Sequence, residues 1–389
     1  MPAIARIAQY ADELTRWRHD IHAHPELGFE EERTSAFVAE QLLRFGYEVH
    51  RGVGRTGVVG VLRAGNAPKS IGLRADMDAL PIREASRFAY RSQNEGRMHA
   101  CGHDGHTTML LGAARYLAET RAFDGTVNLI FQPAEEGLGG GKAMVDDGLF
   151  ARFPSDAIFG MHNRPGLAIG KFAIRPGPMM AGGAYFDIAI DGRGAHAARP
   201  ESGIDPVLVA SHIATALQSI VARNVRPLDT AVVSVTQIHA GEAYNVIPSN
   251  AVMRGTARAF SRDTLTLIER RIRDIASGVA QGMGAAATLD FRVIFPPLVN
   301  NADEARFIAD CAAELVGAEN VDTAGGMTMA SEDFAYMLEQ RPGAYIQIGN
   351  GDGEGGCEVH NPGYDFNDAA LTTGASLYAR LVEKKLTRV

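Results

Sequence analysis

Cysteine is scarce in this chain, with three residues, Cys101, Cys311 and Cys357, among 389. An odd, sparse set is no disulfide framework. A chain of this length buries cores large enough to need none. Long apolar runs are also missing, and none approaches the roughly 18 residues of a membrane span. From Met1 to Arg6, with Asp12 and Glu13 soon after, there is no uninterrupted apolar stretch of the kind a secretory signal carries. A reducing cytoplasm is therefore the expected compartment. Positive charge does not dominate either: Lys+Arg 38 against Asp+Glu 46 leaves a formal net charge of −8. A nucleic-acid footprint needs a basic face and a peripheral membrane anchor needs a polybasic cluster, so neither partner is expected. What remains is an ordinary globular composition, 46% hydrophobic and 22% charged, long enough for two or three domains.

Apolar residues at intervals of one, three or four predict a helix over 4–21. A second is predicted over 34–45, with Gly46 placed for a left-handed C-terminal cap. Buried strands are predicted at 58–62, 71–75, 127–131, 157–161 and 344–348, with helices at 107–119 and 369–382. Such alternation predicts an α/β fold whose sheet is at least partly parallel. The middle of the chain has another rhythm: strand 185–191, helix 206–222, strands 231–239 and 252–260, helix 265–279, strand 287–295. That order is the ferredoxin-like βαββαβ pattern. Pro176-Gly177-Pro178 and Pro296-Pro297 flank it as hinges. The expected organisation is a mixed-sheet catalytic domain from 1–180 and 296–389, interrupted by an inserted domain at 181–295.

Histidine carries the chemical signal. His99-Ala100-Cys101-Gly102-His103-Asp104-Gly105-His106 packs three imidazoles, a thiol and a carboxylate into eight positions. These are the ligand types of zinc and its first-row neighbours. Gly102 and Gly105 let the backbone turn tightly enough to aim several of them inward. A polar loop with surface histidines is the plainer reading, but it suits a lone histidine better than this density. A structural zinc site would use paired cysteines, which are absent. A second signal, Gln132-Pro133-Ala134-Glu135-Glu136-Gly137, directly follows a predicted buried strand. Two carboxylates there are costly without a cation nearby. Neighbours in sequence point different ways, so one can ligate while the other acts as a base.

Position joins these signals. Asp76 and Asp78 follow the strand at 71–75, Glu135 and Glu136 that at 127–131, His162 that at 157–161, and His360 comes a loop after that at 344–348. Open α/β sheets bind ligands beyond the carboxyl ends of their strands. Five candidate ligands result, Cys101, His103, Glu136, His162 and His360, with Asp78 in support. That exceeds the needs of one tetrahedral ion and suggests a two-metal site.

From Arg18-His19-Asp20-Ile21-His22 onward, the chain resembles the hippurate hydrolase and N-acyl-amino-acid amidohydrolase family, part of the wider superfamily of aminoacylases and glutamate carboxypeptidases. The resemblance rests on His22-Ala23-His24-Pro25-Glu26-Leu27, Asp76-Met77-Asp78-Ala79-Leu80-Pro81, the histidine cluster, Gln132 to Gly137 and Gly160-Met161-His162-Asn163. It continues through Asn245-Val246-Ile247-Pro248, Ser331-Glu332-Asp333-Phe334 and His360-Asn361-Pro362 with Tyr364-Asp365-Phe366-Asn367-Asp368. It covers nearly the whole chain. It implies metal ligation by Cys101, His103, Glu136, His162 and His360, with Glu135 as general base. It also implies an insert that mediates homodimerisation and partly covers the site. His196, in Gly194-Ala195-His196-Ala197-Ala198-Arg199-Pro200, matches the family's lid histidine, a donor to the substrate carbonyl or carboxylate across the dimer. Asn245 and Arg258 are candidates for holding a substrate carboxylate.

The superfamily's His-x-Asp motif supplies one ligand, but this chain has Asp76 at the histidine position. Asp76 is not expected to serve as that ligand, and His103 is expected to compensate. The implied reaction is cleavage of N-acyl amino acids of the hippurate or N-acetyl type, with two divalent ions drawn from zinc, manganese, cobalt and nickel. N-acetyl-diaminopimelate and small peptides are alternative substrates. Two other classes compete: an amidase with Cys101 as nucleophile and His103 or His106 as base, and a non-catalytic metal-binding scaffold.

Overall fold

A computed structural model describes residues 2–351 and 357–388. The chain divides into two compact units, Met1–Gly177 with Val299–Gly326 and Asp333–Val389, and Pro178–Leu298 with Met327–Glu332.

The first unit opens on a short helix, Ala5–Ala8, and then α1 (Ala11–Ala23). The single helix predicted over 4–21 is broken because the Gln9 and Tyr10 amides bond three residues back, to Arg6 and Ile7, and tighten the turn. Helix α2 (Glu32–Phe45) stops at Gly46, whose φ of 86° provides the left-handed cap. Strands β1 (Glu48–Val53), β2 (Gly57–Ala64) and β3 (Ser70–Asp76) follow, then α3 (His103–Thr120), β4 (Gly125–Gln132) and β5 (Ala157–Pro165). Sequence patterning does not announce β1. It is a largely exposed edge strand, so it needs no apolar run.

The second unit contains β6 (Gly182–Asp191), α4 (Pro206–Leu217), β7 (Ala231–Ala240), β8 (Asn250–Ala259), α5 (Arg262–Gly282) and β9 (Ala286–Phe295). Its four strands form an antiparallel sheet in the order β7-β8-β6-β9. Phe186, Ile188 and Met253 from the strands join Val209, Ile213, Ile268 and Ile272 from the helices in one core. The Asp205 carboxylate caps α4 by accepting from the Val207 amide at 2.9 Å. The helix predicted to 222 ends at Leu217 and passes into a π-turn, Ile220–Asn224, ahead of Pro227. The segment Met327–Glu332 also lies in this unit, whereas the sequence reading assigns it to the catalytic domain. The Ala181 amide donates to the Thr328 and Ala330 carbonyls, each at 3.1 Å, and Arg258 donates to Ser331 Oγ at 2.5 Å.

The chain completes the first unit with α6 (Ala302–Val316), β10 (Gly343–Gly351) and α7 (Leu371–Lys385). The large sheet runs β1-β2-β4-β3-β5-β10, extended by the short strands Phe172–Ala173 and Val321–Asp322. It is mixed: β4, β3, β5 and β10 are parallel, while β1 and β2 are antiparallel additions. Every residue of β3 is buried, as expected of a central strand covered on both faces. Tyr378 of α7 donates its hydroxyl to the Arg74 carbonyl on β3 at 2.7 Å. Because β3, β4, β5 and β10 share one direction, their carboxyl ends open at one edge. Among the described residues, no helix is long and apolar enough to cross a membrane.

Candidate metal centre

Helix α3 starts at that edge, with Gly102 as its N-cap at φ 93°. A Cβ on Gly102 would collide with Asn163 Oδ1 and Tyr364 Oη, so only glycine allows this approach. The helix start sets Cys101 and His103 against residues from the ends of β4 and β5. Three overlapping triads result, the potential donor atoms of each lying within 4.8 Å of one another: Cys101, His103 and His162; Cys101, Glu136 and His360; His103, Glu135 and Glu136. Cys101 Sγ is 3.4 Å from His162 Nε2. Glu136 Oε1 is 3.2 Å from His360 Nε2 and 3.8 Å from His103 Nε2. All five expected ligands and Glu135 thus come together.

The imidazoles are oriented from behind. His162 Nδ1–H donates to the Asn163 carbonyl at 2.6 Å, which leaves the Nε2 lone pair facing Cys101. His103 Nδ1 meets Asp78 Oδ1 at 3.3 Å. The same Asp78 carboxylate accepts from the Glu135 and Glu136 amides, both at 3.0 Å, and so ties the acidic loop to a ligand histidine. His360 has φ 67°, rare for a residue with a side chain, and its amide donates to the Ala100 carbonyl at 2.6 Å. Asp76 has Oδ2 on Arg74 at 2.7 Å and 3.8 Å from His103 Nε2, and Oδ1 on His106 Nδ1 at 2.6 Å. It also forms a triad with His103 and His106.

Burial pushes the Cys101 thiol pKa well up, and the nearby Glu136 and Glu135 charges add to the effect. Burial pushes His162 well down. His103 is held up at about 10: burial opposes the shift, but the Asp76 and Asp78 carboxylates and Glu136 outweigh it. Two atoms test whether a cation belongs here. Among the described residues, His103 Nε2 and Glu136 Oε1 are buried and have no hydrogen-bond partner, which is costly unless something else satisfies them. Together with a thiol and two further imidazoles, they fit a divalent first-row cation.

Behind this layer lies a buried charge network that sequence reasoning missed. Arg18 donates to Asp365 at 2.9 Å and to Asp368 at 2.8 Å. His22 Nδ1 meets Asp104 Oδ2 at 2.8 Å, and Asn163 bridges His106 and the Tyr364 hydroxyl. His22 and Asp104 sit in the stretches that carry the resemblance, and their spacing hides their partnership.

The remaining candidates lie in the second unit. His196 is on a short strand, Ala195–His196, paired with Val246–Ile247. Its Nδ1 accepts from the Ala198 amide at 3.0 Å, leaving Nε2 to carry the proton. Asn245 adjoins it, with its carbonyl accepting from the Ala197 amide at 2.9 Å, and both side chains are exposed. Arg258 is half-buried and bonded to Ser331.

The chain is similar to known proteins along nearly its whole length. Hippurate hydrolase of Campylobacter jejuni is 46% identical over 386 residues, covering 99% of this chain and all of that one. N-acetylcysteine deacetylase of Bacillus subtilis is 37% identical over 370 residues, 95% of each chain. The crystal structure of the Bacillus subtilis YXEP protein, described as a dinuclear metal-binding peptidase from the M20 family, superposes with a TM-score of 0.86 at 33% identity. The match covers 98% of this chain and 100% of that one. The family model for peptidase family M20/M25/M40 matches residues 72–384, a span that includes every residue of the three triads. On sequence, fold and donor arrangement alike, the chain belongs to peptidase family M20/M25/M40.

Proposed function

We propose that this chain is a metal-dependent amidohydrolase that cleaves N-acyl amino acids of the hippurate or N-acetyl type. The observation that carries the reading is the overlap of the triads: Cys101, His103 and Glu136 each belong to two of them. Cys101, His103, Glu136, His162 and His360 would hold two divalent cations. When bound, such ions polarise a carbonyl oxygen and acidify water enough for it to act as a nucleophile near neutral pH. Glu135 takes a proton from the attacking water and passes it to the leaving nitrogen, so that water plus amide yields a carboxylic acid and an amino acid. His196 donates to the developing oxyanion from across a homodimer, and Arg258 and Asn245 hold the substrate carboxylate.

The dimer reading draws on the edge of β7, which has no strand partner among the described residues and where residues 236–240 are exposed. Cytoplasmic conditions would keep Cys101 reduced as a ligand. The relatives point to different acyl groups, benzoyl in hippurate and acetyl in N-acetylcysteine. N-acetyl-diaminopimelate and dipeptides therefore belong in the same assay. A nucleophilic Cys101 needs a lowered pKa, whereas burial and two carboxylates push it up.

The test is one panel of these substrates with chelated protein and with each added cation. Chelation should abolish turnover, and one or more of zinc, manganese, cobalt and nickel should restore it. Activity that persists after chelation with no bound metal would favour the thiol route. Stoichiometric metal with no turnover on any substrate would leave only a scaffold.

A further inference from the structure

Two consecutive carboxylates with different jobs need a loop that holds each at its own angle. The backbone at Ala134 sets those angles and takes φ 53°, a left-handed conformation that L-residues disfavour. Both peptide groups of Ala134 are gripped. Its carbonyl accepts from the Gly140 amide at 3.0 Å, and its amide donates to Glu31 Oε1 at 2.8 Å. Asp78 takes the next two amides, so three successive N–H groups end on two buried carboxylates.

Glu31 has an ordinary use close at hand, which it forgoes. It occupies the N-cap of α2, yet its side chain does not cap that helix. Glu26 does so instead, accepting from the Arg33 and Thr34 amides at 2.9 and 2.8 Å. The Glu31 carboxylate turns into the interior, is 0% exposed, and accepts the Thr56 hydroxyl on Oε2 at 2.5 Å. Burial and the nearby Asp78 charge raise its pKa to about 7, so the fold tolerates a carboxylate where an apolar residue would be easier to bury. The loop before α2 also presses on Ala134, since a Cβ on Gly28 would lie 3.0 Å from both its Cα and its Cβ.

We propose that Glu31, braced by Thr56, is a positioning residue that holds the Ala134 peptide in its left-handed form and thereby aims Glu135 and Glu136. This rests on the roles proposed above for those two residues. The test compares cation-loaded Glu31→Ala, Glu31→Gln and Thr56→Val with Glu135→Gln. Turnover is measured on the best substrate of the panel. Calorimetric titration of each chelated protein with Co2+, and the cobalt absorption bands, supply readouts independent of turnover.

Loss of an outer partner of a metal site typically costs about 10–100-fold in activity or metal affinity. Glu31→Ala should therefore lower kcat by about that range, with KM changed by less than about 3-fold, weaken the Co2+ site that uses Glu136 and shift its absorption bands. Glu31→Gln should recover most of the loss, because its amide oxygen still accepts from Ala134 and its NH2 can donate to Thr56. Thr56→Val should show a milder form of the same defect and carries the test if Glu31→Ala does not fold. Wild-type kcat and Co2+ affinity in both Glu31→Ala and Thr56→Val, with Glu135→Gln inactive, would overturn the inference alone. Equal damage in Glu31→Gln and Glu31→Ala would also overturn it, because charge rather than the held peptide would then be what counts. Full activity in Glu135→Gln would instead remove the reading on which it rests.

Discussion

The loop at 133–137 and the corner formed by His196 and Asn245 are opposite solutions to placing a polar side chain. In the loop, the amides of Ala134, Glu135 and Glu136 all end on buried carboxylates, and Pro133, Ala134 and Glu135 are themselves buried. At the corner, backbone bonds hold two short strands together while the side chains stand in solvent. The contrast teaches that preorganisation is local. In the roles proposed above, the loop that would serve cations and protons is held by buried hydrogen bonds, whereas His196 and Asn245, which would meet the substrate, stand exposed. Electrostatic catalysis gains most where no reorganisation is needed at the moment of reaction.

The largest effect expected from this contrast is at Glu135. Glu135→Gln should lower kcat by about 10²–10⁴, the usual worth of a positioned acid–base group, while elemental analysis finds the full complement of metal. Loss of metal in that variant would show that Glu135 is a ligand, and the division of labour within the loop would dissolve. Next comes the exposed corner. His196→Ala should cost about 10²–10³ in kcat, as removal of one oxyanion donor does. Light scattering should report a dimer, and mixing Glu135→Gln with His196→Ala protomers should recover activity in hybrid dimers. A clean monomer, or no recovery in confirmed hybrids, would place His196 beside its own chain's site or outside the chemistry.

The smallest effect concerns pH and stability in chelated protein. Glu31 titrates at about 7, above an ordinary carboxylate, because of burial and then Asp78. His22 titrates at about 9: burial pulls it down, and its bonds to Asp104 and Glu84 more than compensate. In both cases the folded state binds the proton more tightly than the unfolded chain. The Glu31 contribution is complete below about pH 4.5 and is lost as pH rises through about 7; the His22 contribution is complete below about 6.5 and is lost through about 9. Urea denaturation should therefore show Glu31→Gln gaining on wild type between pH 5 and 8, by on the order of 1 kcal/mol. A variant that instead loses ground to wild type as pH rises would contradict the assigned direction.

Much of the metal centre was legible because its chemistry is written in residue types that rarely cluster by accident. Cys101 and His103 are close in sequence, Glu136 follows the buried strand β4, and His162 lies within β5, just past the apolar run expected to end at 161. The parallel core of the sheet was legible from the same runs. Glu31 was not, because Glu30-Glu31-Glu32 reads as a solvated acidic run and its partner lies 103 residues away. Nor was the place of Met327–Glu332, which is held by a few backbone bonds and has no pattern of its own. Helix α6 left a readable sign in Asn301, whose side chain accepts from the Asp303 and Glu304 amides, but no strand patterning drew attention to it.

The order in which the sheet is threaded has a consequence for biosynthesis. The fifth proposed donor, His360, lies beyond β10, and α7 follows it in the chain. A nascent polypeptide emerging from the ribosome would hold Cys101, His103, Glu136 and His162 for most of its translation without the residue that completes the second triad. Only the second triad waits on that residue, so the pair of sites proposed above would be completed last at the end drawn from Cys101, Glu136 and His360.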